Sequence, residues 1–287
     1  VPGGGSTRAR RAALESLVEA ERAFASACAE RGIKTAFLAS LDSSGVVFRP
    51  QPVNGIERYS QLGDTEDRLA WEPRYADVSA TGDLGYTTGP WTLFDKGGDP
   101  RSFGEYVSVW RRKPDGGWKV VIDLGITHPK PAETGGGAGE TVFASPARAS
   151  AADTTNAERD RRGLGESNRR FFREWSVGGF ASAYREFASD DILVLRDGEF
   201  PVRGKRDAMP VSMREGIPSG IESMGGGLAA AGDIGYTYGV LGWGATPAGG
   251  ERRASYVWVW KRGADGEWKI VVDAMVPWEP KPNPPNE

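Results

Sequence analysis

The decapeptide Ala80-Thr-Gly-Asp-Leu-Gly-Tyr-Thr-Thr-Gly89 returns as Ala230-Ala-Gly-Asp-Ile-Gly-Tyr-Thr-Tyr-Gly239, with Asp83 and Asp233 standing 150 positions apart. The same offset carries Tyr106, Trp110, Trp118, Lys119 and Asp123 onto Tyr256, Trp260, Trp268, Lys269 and Asp273. Upstream, Val46-Val-Phe-Arg49 matches Leu193-Val-Leu-Arg196 at an offset of 147, a slip that small loop insertions explain. Solenoid repeats recur every ~20–50 residues, so a period this long makes each copy a domain. The domains expected are residues 10–128 and 158–279. The stretch between them, 129–157, is rich in Gly, Ala, Ser, Thr and Pro and reads as an extended or flexible linker. The head, 1–6, and the tail, 279–287, read as disordered ends.

Within the first copy, Leu14, Leu17, Val18, Phe24, Ala25 and Cys28 fall on one face of an amphipathic helix that stops near Gly32. A second helix is expected over 34–41, a strand over 44–49 and a short helix over 55–62. Long strands then follow around 69–81, 84–94, 103–112 and 118–126, with Pro114-Asp-Gly-Gly117 turning between the last two. The second copy repeats the order, with helices at 164–175 and 180–187, a strand at 192–196 and a turn at Ala264-Asp-Gly266. Helices first and a meander after give an α+β class, with helices laid across one face of a curved antiparallel sheet.

The 287 residues, 39% hydrophobic and 26% charged, suffice for two folded cores. Lys+Arg 36 against Asp+Glu 39 leaves a net charge of -3 and no positive field to collect phosphates, so nucleic acid is not expected as a partner. A single cysteine, Cys28, makes no intrachain disulfide and reads as a buried small hydrophobe. A single histidine, His128, builds no multi-histidine metal site, and no Gly-x-Ser-x-Gly elbow accompanies it, so neither a metal nor a nucleophilic hydrolase is expected, and no cofactor is expected. His128 itself reads as an exposed loop residue. No apolar run reaches the ~20 residues that span a bilayer. The Gly/Ser-rich head fits what signal-peptide removal leaves, an expectation of export that leaves a cytoplasmic location open.

The order of elements, with Gly82–Gly89 and the run Val-Trp-Arg-Arg-Lys-Pro-Asp-Gly-Gly-Trp-Lys-Val-Val-Ile-Asp at 109–123, resembles the SnoaL-like branch of the nuclear transport factor 2-like superfamily, closest to bacterial members of unassigned function. The resemblance covers nearly the whole chain and implies two tandem cone-shaped domains, each a sheet with its N-terminal helices over the concave face and a pocket inside. It brings no particular activity with it.

Pairing the strands by their hairpins places Tyr86, Thr88, Tyr106, Ser108, Trp110 and Asp123 on one face, together with Lys119 and Val121. The other face carries Gly85, Gly89, Val107, Val109, Trp118, Val120, Ile122 and Leu124. By the resemblance, the polar face lines the cone and the dry one meets another sheet, for which the other copy is the obvious partner in an intramolecular pseudo-dimer. Asp123 and Asp273 are the candidate catalytic bases, carboxylates among aromatics whose desolvation raises their pKa. The alternative is a structural acid paired with Arg49 or Arg196. Candidate ligand-binding residues are Arg49, Trp71, Tyr86, Tyr106, Ser108 and Trp110 in the first copy, with Arg196, Tyr236, Tyr238, Tyr256, Trp258 and Met275 in the second. The tyrosines are either hydrogen-bond donors to a developing oxyanion or strand packing. Trp258 replaces Ser108, so the two pockets differ in shape, and one is expected to be functional while the other is filled or altered.

Three functions fit these residues. The first is a module that binds a small apolar or aromatic molecule. The second is a cofactor-independent proton-transfer enzyme, an isomerase, dehydratase or cyclase, with Asp123 or Asp273 as base. The third is a non-catalytic structural or assembly role.

Overall fold

The computed structural model describes residues 4–63, 65–132, 142–143, 157–245 and 251–278. The Gly-rich run of the linker at 134–139 and the tail at 279–287 lie outside the described residues. The first half opens with α1 (Gly4–Arg31), which begins inside the head expected to be unstructured, followed by α2 (Ile33–Ser40), β1 (Leu41–Phe48), β2 (Pro52–Asn54) and α3 (Gly55–Ser60). The strand expected over 69–81 is two strands, β3 (Arg68–Trp71) and β4 (Tyr75–Val78), parted at Pro73, whose ring leaves no N–H for the ladder. β5 (Leu84–Phe94), β6 (Pro100–Arg112) and β7 (Trp118–His128) complete the meander, and β8 (Val142–Phe143), inside the expected linker, pairs in parallel with β4.

The second half repeats the plan with α4 (Ala157–Gly178), α5 (Phe180–Phe187), β9 (Ala188–Arg196), β10 (Val202–Arg203), α6 (Lys205–Met213), β11 (Gly220–Leu228), β12 (Ile234–Ala245), β13 (Glu251–Arg262) and β14 (Trp268–Trp278). The class is α+β with two tandem sheets, ordered β2-β1-β7-β6-β5-β4-β8, with β3 also on β5, and β10-β9-β14-β13-β12-β11. The sheets are mixed rather than purely antiparallel, because β1 joins β7, and β9 joins β14, in parallel. In both halves the first helix breaks at a glycine, Gly32 at φ 81° and Gly179 at φ 83°, a backbone region that side chains with a Cβ avoid.

Two bulges decide which side chains share a face. Phe94 opposes Pro100, but Leu93 opposes Ser102, so one extra residue on β6 inverts the parity of the pairing beyond the hairpin. Tyr86 therefore pairs with Val109, and Thr87 with Ser108. A second bulge, between Val109 and Trp110, puts Val120 opposite Trp110 and Asp123 opposite Ser108. The expectation that Tyr86 and Thr88 share a face with Ser108 is thus corrected, and so is the placing of Trp118 and Val120 on the dry face. Trp110, Trp118 and Val120 pack with the helix residues Leu17, Phe24 and Phe37.

The dry faces of the two sheets share one core. Tyr86, Val107, Val109, Ile122 and Leu124 of the first half lie in the same cluster as Leu193, Leu195, Tyr236, Val257, Val259 and Val272 of the second. The repeated decapeptides meet at its rim, where Asp83 Oδ2 accepts from the Ala230 N–H at 2.9 Å and Asp233 Oδ2 accepts from the Ala80 N–H at 2.8 Å. Asp77, fully buried, accepts from Arg10 Nη2 and Lys261 Nζ at 2.5 Å each and so ties α1, β4 and β13 together. No helix among the described residues is long and apolar enough to cross a membrane.

Removing the acid of a buried ion pair strands its cations, whereas an exposed pair contributes little. Asp77→Ala is accordingly expected to destabilise the chain by about 3 kcal/mol in urea unfolding, while Glu15→Ala, which breaks the exposed Arg11–Glu15 pair, is expected to cost under about 0.5 kcal/mol. Equal losses in the two variants would contradict this account of the join.

Candidate functional site

The cone of the first half holds a cavity of about 340 Å³. Its walls are largely apolar, with Phe24 from α1, Ile33 and Phe37 from α2, Leu69 and Trp71 from β3, and Trp91 and Leu93 from β5. The polar groups are few: Glu21, Arg49, Arg58, Tyr59, Tyr106, Ser108 and Asp123.

Glu21 was not among the residues the sequence singled out. It lies on the same α1 stripe as Leu14, Leu17, Phe24 and Cys28 and is fully buried with them, so a carboxylate in the middle of an apolar helix face was the signal. Three donors converge on it. Trp71 Nε1 donates to Oε1 at 2.6 Å, while Thr87 Oγ1 at 2.5 Å and Trp110 Nε1 at 2.9 Å donate to Oε2. Burial outweighs these bonds and pushes the Glu21 carboxyl up to about 7, with the neighbouring Asp123 charge acting in the same direction.

Asp123 is 9% exposed and opens onto the same cavity. Ser108 Oγ donates to its Oδ1 at 2.9 Å, and Arg49 Nη2 stands 3.9 Å from its Oδ2. Burial lifts its carboxyl above the ordinary range, and Arg49 and the Ser108 hydroxyl oppose that shift. Arg49 also donates to the Tyr59 hydroxyl at 2.6 Å, and burial pushes that phenol up to about 12. The Tyr106 hydroxyl is buried without a partner in hydrogen-bonding geometry among the described residues. Two carboxyls, two phenols and two guanidinium groups thus face one small, largely apolar space.

Of the candidates in the first copy, Arg49, Trp71, Tyr106, Ser108 and Asp123 line this cavity, and Trp110 lies beneath it as a donor to Glu21. Tyr86 does not reach it. With Tyr236 and Tyr238 it sits between the sheets, where Tyr238 meets Phe48 edge-on and the Tyr236 hydroxyl is 3.5 Å from Arg111 Nη2. All three pack in the cluster shared by the two sheets.

The second cone is built differently at matched positions. Asn168 stands where Glu21 does and accepts from Thr237 Oγ1 at 2.8 Å, so the buried titratable group is replaced by a neutral amide. Trp258 replaces Ser108, is fully buried, stacks on Tyr256 at 4.1 Å and meets Phe171 edge-on at 4.8 Å. Trp175 replaces Cys28 and Tyr184 replaces Phe37, adding further bulk. Asp273 is enclosed, with Oδ2 held by Arg196 Nη2 at 2.6 Å and Oδ1 by Trp258 Nε1 at 3.0 Å. Asp273, a candidate base, thus sits in a buried ion pair with Arg196, the arrangement that the structural alternative expects. Arg196, Tyr256, Trp258 and Met275 are parts of the second core, with Arg196 also bound to the Asp273 carbonyl and Met275 in its hydrophobic cluster.

Among the described residues no group of three or more His, Cys, Asp or Glu could hold a metal ion. His128 ends β7 with its ring tilted at 34° against Phe200, centroids 4.7 Å apart, and Cys28 is buried.

No family model matches the sequence, and no curated protein matches it. The chain is similar to several solved structures of the NTF2-like kind. One is an NTF2-like protein of unknown function from Shewanella oneidensis, 8% identical over 40% of this chain and 97% of that one, with a TM-score of 0.34. Another is a ketosteroid isomerase-like protein from Erwinia carotovora, 19% identical over 41% of this chain and 97% of that one, at 0.33. A third, an NTF2-like superfamily protein from Salmonella enterica, is 17% identical over 45% and 99%, at 0.34.

A folded-state pKa raised from 4.5 to about 7 means that the native chain holds the Glu21 proton where the unfolded chain has released it. Stability is therefore fully retained below about 4.5 and falls as pH rises towards 7 and beyond, by about 3 kcal/mol for this group. Glu21→Gln is expected to flatten the dependence of urea-unfolding free energy on pH between 4.5 and 8 by that amount. Glu105, raised to about 7 mainly by burial, contributes to the slope in both proteins and cancels in the difference. Identical slopes would contradict a protonated Glu21.

Proposed function

We propose that the chain is a tandem NTF2-like protein with domains at 10–128 and 158–279, joined as an intramolecular pseudo-dimer, and that its first domain binds a compact, largely apolar or aromatic small molecule. The observation that carries this reading is the asymmetry of the two cones: an apolar cavity with a few polar groups in the first, and a tryptophan in the matching place in the second. A planar ligand lies between Phe24, Trp71 and Trp91, and its polar edge meets Glu21, Tyr106 or Asp123. The second domain covers the dry face of the first sheet, a supporting role rather than a second binding site.

Ser108→Trp places in the first cone the side chain that occupies the second. Indole, a flat molecule with one N–H donor, is expected to raise the melting temperature of the wild type in a dose-dependent way. Ser108→Trp is expected to abolish that rise, and Trp258→Phe to keep it. Equal stabilisation of the Ser108→Trp variant by indole would contradict a site in the first cone.

A second reading, cofactor-free proton transfer, is favoured by Asp123 lying in one cavity with the buried Tyr106 hydroxyl and with Glu21, whose carboxyl burial pushes up to about 7. Asp123 takes a proton from carbon next to a carbonyl, while Tyr106 and Glu21 hydrogen-bond the oxygen that gains charge. On this reading, exchange of the α-protons of 1-indanone in D2O, followed by NMR, is accelerated by the wild type and at least about a hundredfold less by Asp123→Asn, roughly the low end of what general-base catalysis contributes. No acceleration leaves the binding reading alone.

A further inference from the structure

Arg49 opens the turn between β1 and β2, and that turn is gripped from the other half of the molecule. Within the turn, the Arg49 N–H donates to the Gln51 carbonyl at 3.1 Å. Across the join, Ser255 Oγ on β13 donates to the Pro50 carbonyl at 2.7 Å. Ser255 is fully buried, and its oxygen accepts from Trp278 Nε1 at 3.2 Å. On the other side of Arg49, the Phe48 ring meets Tyr238 of β12 edge-on at 6.1 Å. The residues before and after Arg49 are thus both held by the second half.

The mirror turn is held in the same manner. Arg196 opens the turn between β9 and β10. Asp197 Oδ1 then accepts from the N–H and the hydroxyl of Thr127 at 2.8 Å each, and the Gly198 N–H donates to the Thr127 carbonyl at 2.8 Å. What differs is the arginine itself. Arg196 is clamped by its own carboxylate at 2.6 Å and is 5% exposed, whereas Arg49 stands 3.9 Å from Asp123 and is 35% exposed. With so loose an ionic contact, the guanidinium takes its place from Tyr59 and from the Phe48 carbonyl, to which Nη1 donates at 2.6 Å, so its position follows the backbone of the turn.

We propose that Ser255 is a positioning residue for the first-half cavity: by holding the Pro50 carbonyl it fixes where the Arg49 guanidinium stands relative to Asp123. The second half then acts as a built-in partner that sets the electrostatics of a cavity to which none of its described residues contributes a wall. This goes beyond the binding reading and does not depend on what the cavity takes.

The test follows Asp123 directly. The groups that face it are Arg49 from the turn after β1, Tyr59 from α3, Tyr106 and Ser108 from β6, and Glu21 from α1. Of these, Arg49 is the cation, and its attraction for the carboxylate falls with distance. In protein carrying 13C-labelled aspartate, with the Asp123 carboxyl resonance assigned by its loss in Asp123→Asn, Ser255→Ala is expected to move the Asp123 titration upward by about half a unit or more. Trp278→Phe, which removes the other hydrogen bond of the same serine and leaves Pro50 held, is expected to leave it in place. An Asp123 titration that is the same in wild type and Ser255→Ala, or that Trp278→Phe moves equally, overturns the proposal. If Ser255→Ala does not fold, Tyr238→Leu, at a half-buried position, is expected to give the same upward shift through Phe48, and an unmoved titration there overturns it as well.

Discussion

Each sheet has one aliphatic face, and an aliphatic face must be covered. In this chain the two such faces cover each other, through Val107, Val109 and Leu124 on one side and Leu195, Val257 and Val259 on the other. That burial leaves the opposite face of each sheet to its own helices, and there a cone can form. It also explains why the repeated decapeptide is the least altered part of the chain. Asp83 and Asp233 each hold the backbone of the other's loop, so a change in one copy disturbs both.

The interiors are free of that reciprocal constraint, and they differ. In the first, small residues at Cys28 and Ser108 leave room beside a buried carboxyl, and the room is walled by rings. In the second, Trp175 and Trp258 take the corresponding space, an amide replaces the carboxyl, and the strand acid is neutralised at close range by Arg196. Burying a carboxyl that titrates near 7 is costly, and a well-packed core has no use for it. The second cone carries no such cost. The first retains it at the position where the cavity is, which ties Glu21 to whatever the cavity holds.

Much of this is legible in the sequence. The offsets of 150 and 147, the helical stripe of α1 and the hairpin turns at 114–117 and 264–266 give the tandem α+β plan. The contrast of Ser108 with Trp258 gives the unequal pockets. What was not legible is register. A single extra residue near Pro100 inverts the parity of β5 against β6 and moves Tyr86 from the cone to the join, and no local residue choice announces that bulge. Glu21 was hidden differently. Its spacing from Leu14, Leu17, Phe24 and Cys28 marks it as inward-facing, but only the fold brings Trp71, Thr87 and Trp110, 50 to 89 residues away along the chain, around its carboxyl. Asp123 and Asp273 looked equivalent because the strands that carry them are. Their chemistry diverges through the distance to the paired arginine, which depends on the filling of each cone.

The central proposal is that the first cone takes a ligand and the second, with Trp175 and Trp258 in the matching place, does not, and xenon tests that difference directly because it enters apolar cavities without needing a hydrogen bond. Crystals of the wild-type chain equilibrated under xenon are predicted to show the gas between Phe24, Leu69 and Trp71 in the first half and none beside Trp258 in the second. Xenon in both cones, or beside Trp258 alone, would contradict the account.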